Sequence, residues 1–396
     1  MVQLSKRVTN MSPSATFAIA AKAKKLKDQG IDILSLSFGE PDFVTPKSIQ
    51  EGAIRAIESG AASFYTPSAG LPQLKEAICA ETLQTTGVKY APTETIVTDG
   101  AKYALYLLFQ VLLNTGDEVL IPAPYWVSYP EQVKLAEGQP VFVETHAATK
   151  YKVTVADLEA KRTVKTKALV INTPSNPTGM IYTKEELTAI GNWAVQHDIL
   201  IVADDIYGKL VYNGYTSVSI VSMSEAIKKQ TILINGVSKS YAMTGWRIGY
   251  ALGNETIIQR MTDLASHSTS NPSAVAQYAA IEALTGSQQS TEEMRQAFET
   301  RLNQIYPLLM KIPGVTCEKP EGAFYLFPDV SETAKLCGYS NVTDFASALL
   351  EQAHVAVVPG IGFGAPDNIR LSYAADLLVL EAAMKRIHDF VIEKMK

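Results

Sequence analysis

The sequence predicts an α/β protein: a large domain on a mostly parallel seven-stranded sheet covered by helices on both faces, and a smaller α+β domain beside it. Three observations predict it. Short apolar runs recur at TIVT (95–98), EVLIP (118–122), VFVET (141–145), ALVIN (168–172), ILIVAD (199–204), TILIN (231–235) and IGYAL (248–252). Helix-forming stretches alternate with them, at 47–59, 72–86, 101–114, 183–197 and 255–265. Short apolar runs separated by helices belong to strands buried on both faces, as in a parallel sheet. In the last third the rhythm changes to fewer strands between longer helices. The expected division is therefore an N-terminal arm with part of the small domain over 1–45, a large domain over 46–285 and the rest of the small domain over 286–396.

Taken in order, residues 1–13 read as an irregular arm ending in Pro13. Ser14 can cap a helix that runs to about Gln29 and stops at Gly30. A short strand over Ile31–Ser37 leads into FGEPDF, where Gly39 and Pro41 mark a turn. Beyond the large domain, a long polar helix near 290–312 precedes FYLF (324–327), a helix at about 341–353, VAVVP (355–359), NIRLSY (368–373) and a final amphipathic helix from about 377. No linker rich in Pro, Gly or Ser interrupts the chain, and no internal repeat is found.

Composition excludes several function classes. The 396 residues are 47% hydrophobic and 19% charged, with a net charge of −5, and no basic block offers a surface to nucleic acid or an anionic membrane. Cys79, Cys317 and Cys337 are odd in number and lack CxxC spacing, so neither a disulfide framework nor a zinc site is expected. No metal is called for elsewhere, and a reducing cytoplasm fits. The basic start is followed by an apolar piece (Phe17–Ala21) too short for a signal peptide, and the most apolar helix, Tyr103–Leu113, contains Gln110 and falls short of a span of ~20 residues.

Ligands of parallel α/β sheets bind beyond the carboxyl ends of the strands, so residues there carry the chemistry. After TIVT, DGAKYAL turns into a helix whose free amides at Ala101 and Lys102 suit a phosphate. After ALVIN, Asn176 sits between prolines in TPSNPTG. At the end of ILIVAD, Asp204 is a buried carboxylate that needs a cation. After TILIN, Lys239 lies between two serines, with Arg247 eight positions on and apolar flanks. An ammonium there is either solvated at the strand end or depressed in basicity and reactive as an amine. One chemistry of such an amine is a Schiff base, the bond by which proteins hold pyridoxal phosphate. The segment alone leaves both readings open.

SNPTG (175–179), Asp204 with Tyr207, Ser238-Lys239, Arg247 in TGWRIGY and Arg370 in NIRLSY, all in order, together resemble the class I aminotransferases of the aspartate aminotransferase superfamily, which are fold type I pyridoxal-phosphate enzymes. The pattern runs from SPSAT (12–16) to Arg370. The resemblance implies that Lys239 holds pyridoxal 5′-phosphate covalently and then shuttles a proton, that Asp204 keeps the ring nitrogen protonated, and that Asn176 and Tyr207 bond its phenolic oxygen. It further implies that Trp126 stacks on the ring, and that Arg247, Ser238 and the Ala101 and Lys102 amides bind the phosphate with Tyr65 of a neighbouring subunit, which makes a homodimer. Arg370 would grip the substrate α-carboxylate, assisted by the Gly39 backbone, with Trp126 and Asn176 nearby.

The subgroup with SPSAT resembles enzymes that read a distal carboxylate with Ser14, Thr16 and Lys102 instead of a second arginine. This implies amino-group transfer between aspartate and 2-oxoglutarate by a ping-pong mechanism, with prephenate or aromatic transamination as the alternative. Relatives often carry two glycines where this chain has Gly100-Ala101, which adds one methyl near the phosphate. A cofactor-binding sensor lacking turnover finds no nucleic-acid-binding extension here. A nicotinamide oxidoreductase could cite PGIGFG (359–364), but the helix that such a site needs does not follow it.

Overall fold

The computed structural model describes the backbone of residues 2, 4–12 and 15–396, and the side chains of all of these except 15–17. The seven apolar runs form one sheet: β1 (Thr95–Thr98), β2 (Glu118–Ala123), β3 (Gln139–Glu144), β4 (Thr166–Asn172), β5 (Leu200–Asp204), β6 (Thr231–Gly236) and β7 (Gly249–Leu252). Their spatial order is β1-β7-β6-β5-β4-β2-β3. Every pairing is parallel except those of β7, which runs against both β1 and β6.

Alternate residues feed two separate cores, because successive side chains of a strand point to opposite faces. On one face Val97, Leu120, Leu169, Ile201, Leu233 and Leu252 meet the helices Lys47–Glu58, Pro72–Thr86 and Lys184–Gln196. On the other, Ile96, Val119, Val170, Val202, Ile232 and Ala251 meet Ala101–Leu112 and Glu255–Ser266. In register, Asn172 stands opposite Asp204, and Asp204 opposite Ile234. The carboxyl ends of β4, β5 and β6 are therefore level, and the residues that follow them emerge along one edge.

A third core lies outside this sheet, between Gln289–Leu309, Leu377–Lys394 and a three-stranded antiparallel sheet of Val358–Pro359, Ile369–Ser372 and Tyr325–Leu326. The strand expected over Ile31–Ser37 is shorter, since only Leu34–Ser35 pairs, in parallel with Val355–Ala356. Its partner is only two residues long. The expected irregular arm holds one short helix, Lys6–Thr9, with no buried residue. Helices Ser128–Leu135, Val155–Lys161 and Ala274–Thr285 add to the expected set. No helix among the described residues is long and apolar enough to cross a membrane.

Candidate active site

The loop after β4 is fixed from its own strand. The Asn172 side-chain amide donates to the Asp204 carbonyl (2.8 Å), and its Oδ1 accepts from the Asn176 backbone N–H (2.8 Å). Asn176 Oδ1 in turn accepts from Arg370 Nη1 at 3.1 Å. At the end of β5, the Asp204 carboxylate is 4% exposed and accepts from the Tyr129 hydroxyl (2.7 Å) and the Ile206 N–H (3.2 Å). Tyr207, three residues on, shares a hydrogen bond of 2.8 Å with the Tyr325 hydroxyl. Beyond β6, Ser238 and Lys239 follow, and Lys239 Nζ donates to the Gly39 carbonyl at 2.6 Å.

An anion-binding pole forms where β1 turns into the helix Ala101–Leu112. Gly100 takes φ +87, open to glycine but strained for other residues, and a Cβ there would lie 2.4 Å from Arg247 Nη2. The Arg247 guanidinium is thus pressed against the turn, donating to the carbonyls of Thr244 (3.0 Å) and Asp99 (3.2 Å). The first amides of a helix have no partner within it, so this end sets backbone N–H groups beside a guanidinium. Lys102 Nζ lies 5.0 Å from the centroid of the Trp126 ring, and Trp126 meets Tyr129 edge-on at 5.3 Å.

Arg370 is 2% exposed on the central strand of the small sheet. Its guanidinium lies 4.5 Å over the Tyr325 ring and 4.9 Å from that of Phe363, and Nη2 donates to the Ser37 carbonyl at 3.0 Å. Its Nε has no partner among the described residues. A buried N–H left in this way is costly unless a ligand takes it.

These groups share one cavity of about 540 Å³. It is lined by Gly39, Ala101, Lys102, Trp126, Asn176, Asp204, Tyr207, Ser238, Lys239, Arg247 and Arg370 among others. Of the remaining expected residues, Tyr65 is 91% exposed and lies outside the lining. Ser14 falls outside the described residues, as does the side chain of Thr16, although Ala20 of the same helix lines the cavity. Sequence reasoning missed Tyr129, Tyr325, Asn172, Glu40 and Thr244. The strand-end rule had the means to find Tyr129, which follows β2 closely and stands one helical turn after Trp126.

Burial sets the electrostatics. It lowers the Lys239 amine to about 8, with Arg370, Arg247 and Lys102 acting in the same sense and Glu40 opposing them. The Asp204 carboxyl is pushed up by burial, against the pull of Tyr129, the Ile206 N–H and Lys239. Burial and Arg247 both lower Lys102. An amine lowered to about 8, a buried acid and a cationic pole thus face one cavity.

Residues 31–387 match the family model of the class I and II aminotransferases. An aspartate aminotransferase of Geobacillus stearothermophilus is 58% identical, covering 98% of this chain and 99% of the relative. An asparagine–oxo-acid transaminase of Streptococcus mutans is 56% identical, covering 99% and 100%. The aspartate aminotransferase of Thermus thermophilus, solved with maleate, superimposes with a TM-score of 0.94 at 42% identity, over 98% of this chain and 100% of that one. With its strand-end lysine, aspartate and arginines gathered in one cavity, this chain belongs to the class I and II aminotransferases.

Proposed function

We propose that this aminotransferase moves the amino group between L-aspartate and 2-oxoglutarate, giving oxaloacetate and L-glutamate, with pyridoxal phosphate as its cofactor. The observation that carries the reading is the shared cavity, in which the low-basicity amine of Lys239, the buried acid Asp204 and the buried fork of Arg370 face one another. The family implies the cofactor, and the residues fit it: the bare Gly100 turn lets the Arg247 guanidinium press against the start of helix Ala101–Leu112, and the buried Asp204 carboxyl lines the same cavity.

When bound, pyridoxal phosphate supplies an electron sink for the pair left behind as the amino acid loses its Cα proton. Lys239 would hold it covalently through its amine and, once freed, would take up and return the Cα proton at Nζ. Asp204 would keep the ring nitrogen protonated, while Asn176 and Tyr207 would donate to the phenolic oxygen. Trp126 covers one ring face. Arg247, Ser238 and the Ala101 and Lys102 amides hold the phosphate, with Tyr65 reaching in from the second copy of a homodimer. Its 91% exposure beside exposed Phe64, Ile54 and Ile57 supports that role.

Arg370 and the Gly39 segment orient the α-carboxylate, and Lys102, Ser14 and Thr16 read the distal one. A four-carbon dicarboxylate in the Thermus relative and the names of the close relatives support aspartate as donor. Residues 46–285 form the cofactor-binding domain, and 1–45 with 286–396 the smaller one, in a cytoplasmic enzyme. The test is turnover of aspartate, asparagine, glutamate, phenylalanine and prephenate by the purified protein, with borohydride labelling of the cofactor-loaded chain. Aspartate should be preferred and the label should fall on Lys239. Turnover of prephenate or phenylalanine alone would replace the substrate; an unlabelled Lys239 would end the reading.

A further inference from the structure

We propose that Tyr325 is a positioning residue of this site: its hydroxyl sets the hydroxyl of Tyr207, and its ring carries the guanidinium of Arg370. The inference rests on the function proposed above. Tyr325 is fully buried and pairs with Ser372, two residues beyond Arg370 on the neighbouring strand. Its oxygen lies 2.8 Å from that of Tyr207, and a methyl group placed on Gly39 would come within 2.9 Å of it. The hydroxyl thus lies between Tyr207 and the Gly39 backbone.

A phenol has one hydrogen to give and lone pairs to receive. If Tyr207 gives its hydrogen to the phenolic oxygen of the cofactor, the contact at 2.8 Å requires the hydrogen of Tyr325. A hydroxyl that accepts a hydrogen bond becomes a stronger donor. Tyr325 would then act on the cofactor only through Tyr207. The other face of the argument is the ring: a delocalised guanidinium 4.5 Å over an aromatic face is attracted by its quadrupole and kept flat there. The charged groups around the two tyrosines are Arg370, Asp204, Lys239 and Glu40, and Tyr325→Phe leaves each of these side chains in the sequence.

The experiment titrates the absorbance of bound pyridoxal phosphate in the holoenzyme. A stronger donor at the phenolic oxygen lowers the midpoint, so Tyr325→Phe should raise it by about half a pH unit or more. The KM for aspartate should stay within about twofold, because the ring remains. Tyr325→Leu, which removes the ring as well, should also raise that KM about tenfold. In a Tyr207→Phe background, Tyr325→Phe should move the midpoint no further, as for two groups acting in series. An unshifted midpoint in Tyr325→Phe, or shifts that add across the cycle, would overturn the role of the hydroxyl. A KM unchanged in Tyr325→Leu would overturn that of the ring. A parent protein that takes up no cofactor sinks the proposed function itself; a titrating parent with an identical Tyr325→Phe sinks only this inference.

Discussion

The hydroxyl of Tyr129 donates to Asp204 Oδ2 across 2.7 Å, between two side chains that are 2% and 4% exposed. It joins the segment after β2 to the end of β5. A carboxylate stripped of water depends on such donors, and only the Ile206 N–H shares the task among the described residues.

Tyr129→Phe removes one of these two donors and leaves the ring in place. Losing a buried hydrogen bond to a charged group costs about 1–3 kcal/mol. Burial already pushes the Asp204 pKa up, and the variant pushes it further. A carboxyl with a raised pKa takes up its proton at higher pH, so activity that needs the carboxylate should fail earlier as pH falls. The expected result is kcat/KM for aspartate down about tenfold with the acid limb of its pH profile moved upward. A profile that coincides with the parent's would detach Tyr129 from the site.

Lys239 offers a second pH test, made without cofactor. Its amine titrates near 8, below the usual lysine value, chiefly through burial. In the proposed function the neutral amine is the nucleophile, so uptake of pyridoxal phosphate by the cofactor-free protein should accelerate through about pH 8 and level off above it. The sign for stability follows from the same shift. Between about 8 and the ordinary lysine value the unfolded chain binds more protons than the folded one, so the contribution of Lys239 to stability grows as pH rises through that window. Stopped-flow uptake measured from pH 6 to 10 checks it; a midpoint above about 10 would mean an ordinary, solvated lysine.

Much of this was legible in the chain, for identifiable reasons. All seven sheet strands overlap the apolar runs because the central strands are buried on both faces, and TIVT matches β1 residue for residue. Gly30 and Pro72 bracket helices as their backbone preferences require. The antiparallel direction of β7 was not legible, since an apolar run has no sign. Lys239, Asp204, Asn176 and Arg247 stood out because a polar residue at a strand end is conspicuous. Tyr129 and Tyr325 did not, because a tyrosine gains its role from a partner up to 118 positions away, as Tyr325 does from Tyr207. Helix Val155–Lys161 carries a capping box, Thr154 with Asp157, but is too short for its periodicity to register.

Gly249 ties the sheet to the anion pole. A Cβ at this position would fall 2.1 Å from the Ala101 nitrogen and 2.4 Å from the Gly100 carbonyl carbon, both backbone atoms that no rotamer change can move. Gly249→Ala must therefore push the start of helix Ala101–Leu112 away from β7. Overpacking of this kind costs about 1–3 kcal/mol, and the displaced amides and Arg247 should hold phosphate less well. Thermal unfolding should fall by several degrees and the affinity for pyridoxal phosphate by about tenfold or more. A variant that loses thermal stability but binds cofactor as the parent does would show that the helix start takes no part in phosphate binding.

Arg370 makes the sharpest distinction between charge and shape. Its two terminal nitrogens already serve Asn176 and Ser37, its Nε has no partner among the described residues, and its plane lies against Tyr325. Such a fork meets a carboxylate through two parallel hydrogen bonds, which an ammonium cannot copy. Arg370→Lys keeps the charge but loses the fork, the stacking and the brace on Asn176. The KM for aspartate and glutamate should rise about a hundredfold, close to 3 kcal/mol of binding. Lys239, the lysine proposed to hold the cofactor, bonds to Gly39, so the absorbance of the bound cofactor should survive. Steady-state kinetics with a spectrum of each preparation separates the two effects: a parent-like KM would remove Arg370 from substrate binding, and loss of absorbance together with activity would assign it to the cofactor instead.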